Sequence, residues 1–500
     1  MTFDNDKPQV LIIGAGIGGI AAAARLARRG YPVTVVEKNE QPGGRCGTMK
    51  VNGYQFDTGA TLFLMRELYA ETFTALGERM EDYLDLRRVD PTYHLHFRDG
   101  SRMQLTSDLS AMQAQMEAIE PGSFGDMLRY LEEGRRHYKL SMPHLVGRDF
   151  RRLTEFINPR MIRLFLQLKA LTRHTTYAAR FFEDCRLQMA FTFHDMYMGL
   201  SPFESPATYS FLQYTELADG LWFPMGGVYG VIRALTAIAE KHGVCFLFNA
   251  AVEKILIDGE RAAGVELTNG GRLLADVIVA NADLSYVYRH LLPDDGMARR
   301  IESMEYGCST LMFYWGLDRQ YPQLGLHNLF LCGDYRRGFE AIFEDLTMPD
   351  EPNFYVHAPV RLDASLAPEG HDALSVAVPV GHLDEENPQD WLAMQSRARV
   401  FILERLAQAV LENLESHIQT EISFTPTDWQ GRYNLWRGSV HGLSHRLTQM
   451  GYFRPHNQHP RWRNLYFVGA GTHPGTGLPT VLVSARLVTE RILRDTGGCQ

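Results

Sequence analysis

Residues 10–19 read VLIIGAGIGG, and this stretch decides the fold. Its first four residues are apolar, which is typical of a strand buried on both faces of a parallel sheet. The glycine run that follows predicts a tight turn between this strand and a helix. The turn contains Gly14, Gly16, Gly18 and Gly19.

A helix and a second strand follow the glycine turn. Residues 21–29 are rich in alanine and predict the helix, which Gly30 ends. Residues 31–36 predict the second strand, with Glu37 at its tip. The chain therefore begins with a strand–helix–strand unit, in which the free N–H groups and the positive dipole end of the helix face the turn.

This unit predicts a dinucleotide site. Gly14 permits the tight turn, Gly16 lets the backbone approach a pyrophosphate, and Gly19 lets the helix pack closely against the strand. Glu37 is placed to accept hydrogen bonds from an adenosine ribose. Its negative charge would repel the 2′-phosphate of NADP, so NADP is disfavoured.

The glycine motif alone fits either FAD or NAD. Residues 41–45 read QPGGR and resemble the extended nucleotide signature of the FAD-dependent amine oxidase and desaturase superfamily. In that group the second glycine pair and its arginine lie near the flavin and its phosphates, so the resemblance assigns Gly43, Gly44 and Arg45 to FAD. Other expected flavin contacts lie far downstream, which an NAD domain would not need, and one of them is Val252.

The C-terminal segment predicts a second strand–turn–helix unit. Residues 464–479 read NLYFVGAGTHPGTGLP, with a strand at 465–468, and an apolar helix follows at 480–492. Helix N–H groups at this turn would lie beside the isoalloxazine ring and ribityl chain of a flavin. The expected contacts are Gly469, Gly471, Gly477 and Leu478. His473 lies in the same turn, where it either contacts the flavin region or only caps the turn.

Residues 464–484 are similar, position by position, to the signature of bacterial-type phytoene desaturases, a family of FAD-dependent carotenoid desaturases. Shorter segments in the same order also look like that family, and the match runs over essentially the whole chain. These segments are FTFH at 191–194, SPF at 201–203, WFPMGG at 222–227, SLAP at 365–368 and YFRPHN at 452–457. The resemblance implies an FAD enzyme that introduces carbon–carbon double bonds into phytoene or a related C30 to C50 polyene by hydride transfer to the flavin. It also implies contact with a membrane surface, because such substrates reside in the bilayer.

The predicted fold class is α/β, with an α+β substrate region. We expect a Rossmann-like FAD-binding domain that is discontinuous in sequence, a mixed-sheet substrate domain and a helical, membrane-facing subdomain. The predicted segments are 1–106, 221–290 and 455–500 for the FAD-binding domain, 107–220 for the helical region and 291–454 for the substrate domain.

The composition is that of a globular protein, with 45% hydrophobic and 22% charged residues and a net charge of −9. No basic stripe suggests a nucleic-acid partner. None of the six cysteines forms a Cys-x-x-Cys pair, so we expect no metal site. The first apolar run is a strand rather than a signal peptide, and no apolar run is long enough to span a bilayer. We therefore expect a cytoplasmic protein that associates peripherally with the inner membrane.

One segment fits a membrane surface. Residues 156–175 place apolar side chains among several basic ones, as in an amphipathic helix that lies in a lipid interface. A surface helix that is packed on the protein core fits the same pattern. The basic side chains are Arg160, Arg163, Lys169 and Arg173.

Flavin-dependent desaturation needs no metal and no nucleophile, but a proton has to leave the carbon next to the hydride donor. Glu216 is the first candidate base, because an acid in an apolar site can have its pKa raised enough to carry a proton. Asp195 and His194 are the alternatives. Each of the three also fits a structural role as a hydrogen-bonded core residue.

Other functions remain open from the sequence alone. The motifs fit an enzyme that acts on a hydroxylated or C30 carotenoid as a desaturase, oxidase or isomerase. An amine oxidase would share the fold, and some proteins of this architecture bind prenyl groups or partner proteins without a flavin. Those binding proteins would have damaged nucleotide motifs, and here the motifs are intact. The electron acceptor, oxygen or a quinone, and the oligomeric state are not predicted.

Overall fold

The computed structural model describes residues 7–409 and 411–497. The strands in chain order are β1 (Val10–Ile13), β2 (Val33–Val36), β3 (Thr48–Val51), β4 (Tyr54–Asp57), β5 (Leu86–Val89), β6 (Tyr93–His96), β7 (Arg102–Leu105), β8 (Leu221–Pro224), β9 (Cys245–Leu247), β10 (Val252–Asp258), β11 (Arg261–Leu267), β12 (Arg272–Leu274), β13 (Val277–Ala280), β14 (Ser309–Leu317), β15 (His327–Phe330), β16 (Phe354–His357), β17 (Asp372–Val380), β18 (Ile418–Phe424) and β19 (Leu465–Phe467).

The helices connect these strands and cover the sheets. In chain order they are α1 (Ile17–Arg28), α2 (Arg66–Leu76), α3 (Leu109–Ile119), α4 (Ser123–Ser141), α5 (Leu153–Phe156), α6 (Pro159–Gln167), α7 (His174–Ala178), α8 (Cys185–Ala190), α9 (Ser210–Tyr214), α10 (Tyr229–Lys241), α11 (Leu284–Tyr286), α12 (Asp295–Glu302), α13 (Tyr335–Phe343), α14 (Trp391–Gln408), α15 (Pro426–Tyr433) and α16 (Leu478–Asp495).

The first sheet is parallel and has the strand order β19-β13-β1-β2-β9. Its central strand β1 is buried along its whole length and pairs Ile12 with Val35 on one side and Val279 on the other. Helices α1, α10 and α16 pack on one face of the sheet. The antiparallel sheet β10-β11-β12 packs on the other face with α11 and α12. This arrangement is the α/β architecture that the N-terminal sequence predicts.

The predicted strand–helix–strand unit is observed, with shifted boundaries. Strand β1 has the predicted limits, and β2 begins at Val33 rather than at residue 31. Helix α1 begins at Ile17, before the alanine run, because the extended backbone of Gly16 already forms the N-cap. The glycines thus belong to the first helical turn as well as to the loop.

The second sheet is mixed and has the order β18-β14-β17-β16-β15-β6-β7. All its pairings are antiparallel except β15 with β6. Successive side chains of β17 point to opposite faces, as in any strand. One face packs against α14 through Leu374, Val376 and Val378. The other face borders a large cavity through Ser375, Ala377 and Pro379.

The division of the chain into domains remains a prediction. Strands β6 and β7 pair in the second sheet although they lie within residues 1–106, which we assign to the FAD-binding domain. An alternating pattern identifies a strand but not its partner, so the sequence does not reveal this exchange. The ends of the predicted segments, residues 1–6 and 498–500, lie outside the described residues.

The helices between α3 and α9 cover the second sheet, and the segment 156–175 lies among them. The prediction of one helix over this segment is wrong. Helix α6 ends at Gln167, Lys169 has a left-handed backbone (φ 52°), and α7 begins only at His174. Helix α6 buries Met161 on its inner face. Nowhere in the described chain is a helix both long and apolar enough to cross a membrane.

Candidate active site

A cavity of about 610 Å³ lies between the two large sheets. At one end it is bordered by Ile13 and Val36, the last residues of β1 and β2. At the other end it is bordered by the face of the second sheet. Ligands of open parallel sheets bind outside the carboxyl ends of the strands, so the first end is where a dinucleotide is expected.

The structure brings almost all predicted cofactor residues to this cavity. Those that line it are Gly14, Gly16, Gly18, Glu37, Gly43, Gly44, Arg45, Val252, Gly469, Gly471, Gly477 and Leu478. Gly19 does not line the cavity, because it faces the strand that precedes the helix. A Cβ atom at Gly19 would lie 2.2 Å from the carbonyl oxygen of Gly14, so a side chain there would push α1 away from β1.

Asn281 connects the glycine turn to β13 and was given no role from the sequence. Its Nδ2 donates to the carbonyl of Gly14 over 3.1 Å, and the residue lines the cavity. A Cβ atom at Gly16 or Gly18 would lie within 2.8 Å of the Asn281 side chain. The segment NAD at 281–283, which follows β13 directly, was the available signal, since polar residues after a parallel strand mark ligand sites.

The second glycine loop packs directly on the first. The N–H of Gly43 donates to the carbonyl of Ala15 over 2.8 Å. Gly43 and Gly44 both have positive φ, of 123° and 56°. A Cβ atom at Gly43 would lie 2.6 Å from the carbonyl oxygen of Cys46. Glycine is therefore required at Gly43 by both the backbone angle and the available space.

Glu37 is buried just after β2, and its carboxylate bonds both the first glycine loop and the segment that leads into the second. Its Oε2 accepts from the N–H of Ala15 over 2.7 Å, and its Oε1 accepts from the N–H and the side-chain amide of Asn39, each over 2.9 Å. A carboxylate has about four acceptor positions, so capacity remains for a ribose hydroxyl. Within the described chain, Glu37 and Asp283 are the acidic side chains that border the cavity.

Arg45 lies where the nucleotide end meets the rest of the cavity. Its Nη1 donates to the carbonyl of Val440 over 2.7 Å. Burial lowers the pKa of Arg45, while the nearby Asp283 carboxylate opposes that shift. Burial likewise raises the pKa of Asp283, and Arg45 opposes it. The two groups thus stabilise each other's charged form, and Arg45 offers a fixed positive charge to an anionic group.

The C-terminal turn supplies a second helix N-terminus. Gly477 is the N-cap of α16 and provides no side-chain cap, and Leu478 follows it into the cavity wall. Helix α1 also begins at an N-cap glycine without a side-chain cap. Both N-termini therefore leave N–H groups for a ligand, as a dinucleotide requires.

His473 lies behind the turn rather than in the cavity wall. Its N–H donates to the carbonyl of Pro455 over 3.1 Å, and its own carbonyl accepts from the Asn457 side chain over 2.9 Å. Burial lowers the pKa of His473 to about 4, so its ring is neutral at pH 7. These contacts favour a role in holding the turn over contact with the flavin.

The site fits FAD. The glycines of both loops keep open the space that a Cβ would fill, two helix N-termini supply uncapped N–H donors, and Arg45 supplies a positive charge. The adenosine and pyrophosphate would be held by Glu37 and the α1 turn. The flavin end would be held by the α16 turn and the second glycine loop.

Beyond the nucleotide end, the cavity continues into a chamber with apolar and aromatic walls. The side chains that line it include Leu62, Leu64, Met65, Leu145, Phe193, Met196, Phe211, Leu212, Leu329, Leu331, Phe339 and Tyr355. In the part of the chain that the structure describes, no aspartate or glutamate borders the chamber itself. An apolar chamber that joins a dinucleotide site favours a long, uncharged substrate.

Glu216 is fully buried in a polar cluster behind this wall. Its Oε1 accepts from the Thr92 hydroxyl over 2.8 Å, and its Oε2 lies 3.0 Å from Nε2 of His194. The hydroxyl of Tyr197 donates to the same Oε2 over 3.0 Å and lies 2.7 Å from the hydroxyl of Tyr93. Tyr197 and Tyr93 line the cavity, whereas Glu216 and His194 do not. The carboxylate therefore reaches the chamber through tyrosine hydroxyls, which sequence reasoning did not identify.

Asp195 belongs to a separate buried cluster. Its carboxylate accepts from Nδ1 of His174 over 2.8 Å and from the Ser205 hydroxyl. The other nitrogen of His174 is hydrogen-bonded to the hydroxyl of Tyr130. Neither His174 nor Ser205 lines the cavity. The geometry therefore separates Asp195 from Glu216, although both flank the same short stretch of chain.

Two histidines in the cavity wall also escaped the sequence reasoning. Burial, together with Arg45, lowers the pKa of His441 to about 4. Burial, together with Arg454, lowers the pKa of His445 well below its usual value. Nε2 of His445 accepts from the N–H of Thr476 over 3.0 Å and so fixes the C-terminal turn. Both rings are therefore neutral at pH 7.

Comparison with known proteins agrees with this site. The model of the flavin containing amine oxidoreductase family matches residues 17–493. A zeta-carotene-forming phytoene desaturase from Myxococcus xanthus is 48% identical over 496 residues, which cover 99% of this chain and 95% of that protein. A 4,4'-diapophytoene desaturase (4,4'-diaponeurosporene-forming) from Staphylococcus haemolyticus is 33% identical, over 97% of this chain and 99% of that protein.

A solved structure shares the fold at low sequence identity. Wild-type putrescine oxidase bound to putrescine superimposes with a TM-score of 0.66 at 14% identity, over 98% of this chain and 99% of that one. The predicted fold class is thereby confirmed, as are the resemblance and the FAD cofactor. The chain belongs to the flavin containing amine oxidoreductase family and, within it, to the FAD-dependent phytoene desaturase group.

Proposed function

We propose that this protein is an FAD-dependent desaturase that introduces carbon–carbon double bonds into phytoene. The observation that carries the proposal is that an intact dinucleotide site and an apolar chamber belong to one continuous cavity. The relative from Myxococcus xanthus, named for phytoene, is 48% identical, and the one named for diapophytoene is 33% identical. This difference supports the longer polyene over the C30 compound.

Bound FAD supplies the acceptor for a hydride from the substrate. The walls of the chamber hold an extended apolar chain against the flavin end and exclude water. Glu37 would hold the adenosine end of the cofactor, and Arg45 would lie where that end meets the rest of the cavity. The chain itself therefore contributes positioning and solvent exclusion more than covalent chemistry.

We propose Glu216 as a positioning residue that acts through Tyr197. A tyrosine hydroxyl carries one proton, so Tyr197 donates either to Glu216 or to the hydroxyl of Tyr93, and its oxygen is left to accept from a group in the chamber. This arrangement places one oriented hydroxyl at the chamber wall, where a proton can be received. His194 and Asp195 remain candidates, but Asp195 makes its hydrogen bonds away from the chamber.

The walls of the chamber argue against an amine as substrate. An amine is charged at neutral pH, and desolvating it without a paired carboxylate is costly. The described acidic residues of the cavity, Glu37 and Asp283, are engaged at the nucleotide end. A neutral polyene has no such requirement.

We propose that the protein takes its substrate from the cytoplasmic surface of the inner membrane. The segment from α5 to Leu171 supports this proposal, because it combines exposed apolar side chains with basic ones. The exposed apolar residues are Leu153, Ile157, Ile162, Leu166 and Leu171. We call them the α6 patch. The electron acceptor, oxygen or a quinone, follows from neither the fold nor the site.

The proposal is tested by anaerobic incubation of the FAD-loaded protein with phytoene in liposomes, with diapophytoene in a parallel sample. Flavin absorbance and polyene absorbance are followed together. We expect flavin bleaching with new visible polyene bands for phytoene, and the band positions count the new double bonds. Bleaching with diapophytoene alone would contradict the proposed chain length. If neither phytoene nor diapophytoene bleaches the bound FAD, the result would contradict desaturation of either compound.

A further inference from the structure

A second cavity, of about 460 Å³, lies apart from the active site and has an unusual charge. It is bordered by α12, by α16 and by the segment 451–463. Its basic residues are Arg151, Arg300, Arg454, Arg463, Arg491 and His456, and no aspartate or glutamate among the described residues lines it. The whole chain carries a net charge of −9, so this concentration of arginines runs against the overall charge. We call this cavity the arginine pocket.

Two of these arginines are buried and fixed. Arg454 donates only to backbone carbonyls, among them those of Ala470 over 2.7 Å and Ser444 over 3.0 Å. Burial lowers the pKa of Arg454 to about 10, so it remains charged at pH 7. Arg491 is also buried and pairs with Asp149.

Asp149, the carboxylate that pairs with arginines of the pocket, does not neutralise it. Asp149 is shared by Arg491, by Arg494 over 3.2 Å and by Arg151 over 3.3 Å. Arg300 and Arg463 are exposed, and neither pairs with a carboxylate within the part of the chain that the structure describes. Guanidinium groups that have no acidic partner and face a cavity favour a phosphate ligand, because two of their N–H groups can donate to it side by side.

The rim of the pocket is apolar and adjoins the α6 patch. Phe453 lines the pocket, is 44% exposed and contacts the Phe156 ring edge-on, with the ring centroids 5.5 Å apart. Phe156 is followed directly by Ile157 of the α6 patch. Tyr452, also in the pocket wall, packs on the cluster beneath α6. A ligand in the pocket would therefore have its charge among arginines and its neighbouring part beside exposed apolar side chains.

We propose that the arginine pocket binds the phosphate of an anionic phospholipid and so fixes the orientation of the protein on a membrane. The inference rests on the membrane association proposed above. A phospholipid matches both halves of the site, because its phosphate is charged and its acyl chains are apolar. Free phosphate shares only the charged half.

The test compares two double variants of the full-length, FAD-loaded protein. Arg300→Gln with Arg463→Gln removes the two unpaired charges of the pocket. The control, Arg79→Gln with Arg319→Gln, removes two exposed arginines that lie outside it. The binding of each protein is measured by flotation with vesicles of phosphatidylcholine alone and with added phosphatidylglycerol, in the presence and absence of inorganic phosphate. FAD content shows that each variant is folded.

We expect wild-type protein to prefer the phosphatidylglycerol vesicles, and the pocket variant to lose this preference by about tenfold or more, since each basic residue near an anionic surface contributes a sizeable share of binding. The control should stay within about twofold of wild type. Equal losses in both variants would overturn the proposal, because diffuse charge would then explain the binding. Equal binding of the wild-type protein to both kinds of vesicle, with the pocket variant unchanged, would overturn the assignment to lipid.

Failure of the lipid site and failure of the proposed function can be told apart. Desaturation by wild-type protein with phytoene in a neutral detergent involves no anionic lipid. Activity there, with no preference for phosphatidylglycerol vesicles, would overturn the arginine pocket alone. No activity there, with a clear preference for these vesicles, would contradict the proposed substrate and leave the lipid site supported.

Discussion

At the scale of single residues, the nucleotide end of the cavity depends on positions where no side chain fits. Gly19 is one of the tightest, because a Cβ atom in place of its hydrogen would meet the carbonyl oxygen of Gly14 across the join between β1 and α1. Both partners are backbone, so neither can rotate away. The close packing of helix against strand therefore rests on this one residue.

We expect Gly19→Ala to destabilise the protein by about 3 kcal/mol and to reduce FAD binding, because the new Cβ would lie 2.2 Å from the Gly14 oxygen. The measurement is the thermal unfolding midpoint together with the FAD retained after desalting. The control is Gly125→Ala in α4, where no described atom lies within 4 Å of the new Cβ. That change should stabilise α4 by about 0.5–1 kcal/mol. Equal effects of the two changes would contradict the packing argument.

The link between Glu216 and the chamber is also a single side chain. We expect Tyr197→Phe to lower kcat by about tenfold to a hundredfold with little change in KM, because it removes the hydroxyl that faces the chamber and leaves the ring in place. Glu216→Gln should change the pH profile of kcat in addition. Steady-state rates across pH measure both effects.

The comparison for this prediction is Asp195→Asn. The partners of Asp195, His174 and Ser205, lie away from the cavity, so we expect lower stability and an unchanged pH profile of kcat. A loss of kcat in Asp195→Asn with none in Tyr197→Phe would reverse the assignment of the two acids.

The sequence predicts residues whose role is local and misses residues whose partners are distant. Gly14, Gly16 and Glu37 lie in one short unit, so their spacing is sufficient to identify them. Tyr197 and Asn281 act on groups that lie far away along the chain, Tyr93 in one case and the glycine turn in the other. Only the packed structure brings those groups together.

At the scale of elements, the sequence pattern predicts the amphipathic character of α6 but overestimates the length of the helix. The apolar and basic residues of 156–175 are arranged as an amphipathic helix, but the helix itself spans Pro159–Gln167. Its inner face packs on the cluster that contains Met161 and Leu164, while Ile162 and Leu166 face outward. One face of α6 packs on the core, as expected for a surface helix. Another face remains exposed and apolar, as expected for a helix that lies in a lipid interface.

We expect Leu166→Glu to weaken binding to anionic vesicles by about 2 kcal/mol, roughly thirtyfold in partition coefficient, because a leucine that is 61% exposed would otherwise enter the lipid interface. Leu392→Glu on α14 is the matched control, since Leu392 is 71% exposed and lies far from α6 in sequence. Flotation with vesicles measures both. A similar loss in both variants would contradict a defined membrane face.

The pairing of strands is a second feature at the element scale that the sequence does not predict. The alternating pattern does not specify the sheet, so β6 and β7 appear in the second sheet rather than beside the nucleotide site. By contrast, β1, β13 and β19 are short and apolar throughout, which is typical of strands buried in a parallel sheet. For these strands the pattern identified the sheet as well as the strand.

At the scale of the whole molecule, function depends on the joining of two sheets around one cavity. The first sheet holds the cofactor residues, and the second provides a wall through alternate residues of β17. Neither periodicity nor spacing in the sequence predicts how these sheets face each other.

We expect Ala377→Phe to retain FAD and to lower the rate of desaturation at least tenfold, because the new ring would occupy the chamber opposite the nucleotide end. Ala377 is partly exposed to the cavity, so the ring has space without displacing the sheet. FAD absorbance and product formation are measured on the same sample. The control, Ala393→Phe on the exposed surface of α14, should leave both unchanged. Normal turnover in Ala377→Phe would place the substrate elsewhere.

The order of strands in the first sheet has a consequence for biosynthesis. Strand β19 and helix α16 belong to the end of the chain, yet they pair with β13 and pack on α1. After β13 has been synthesised and before β19 and α16 follow, the edge of β13 is open and the C-terminal turn does not exist. Complete flavin binding must therefore wait until these two elements have been made. A nascent chain cut short before β19 would expose an unpaired strand to chaperones and proteases, so premature termination should yield degradation rather than a partly active fragment.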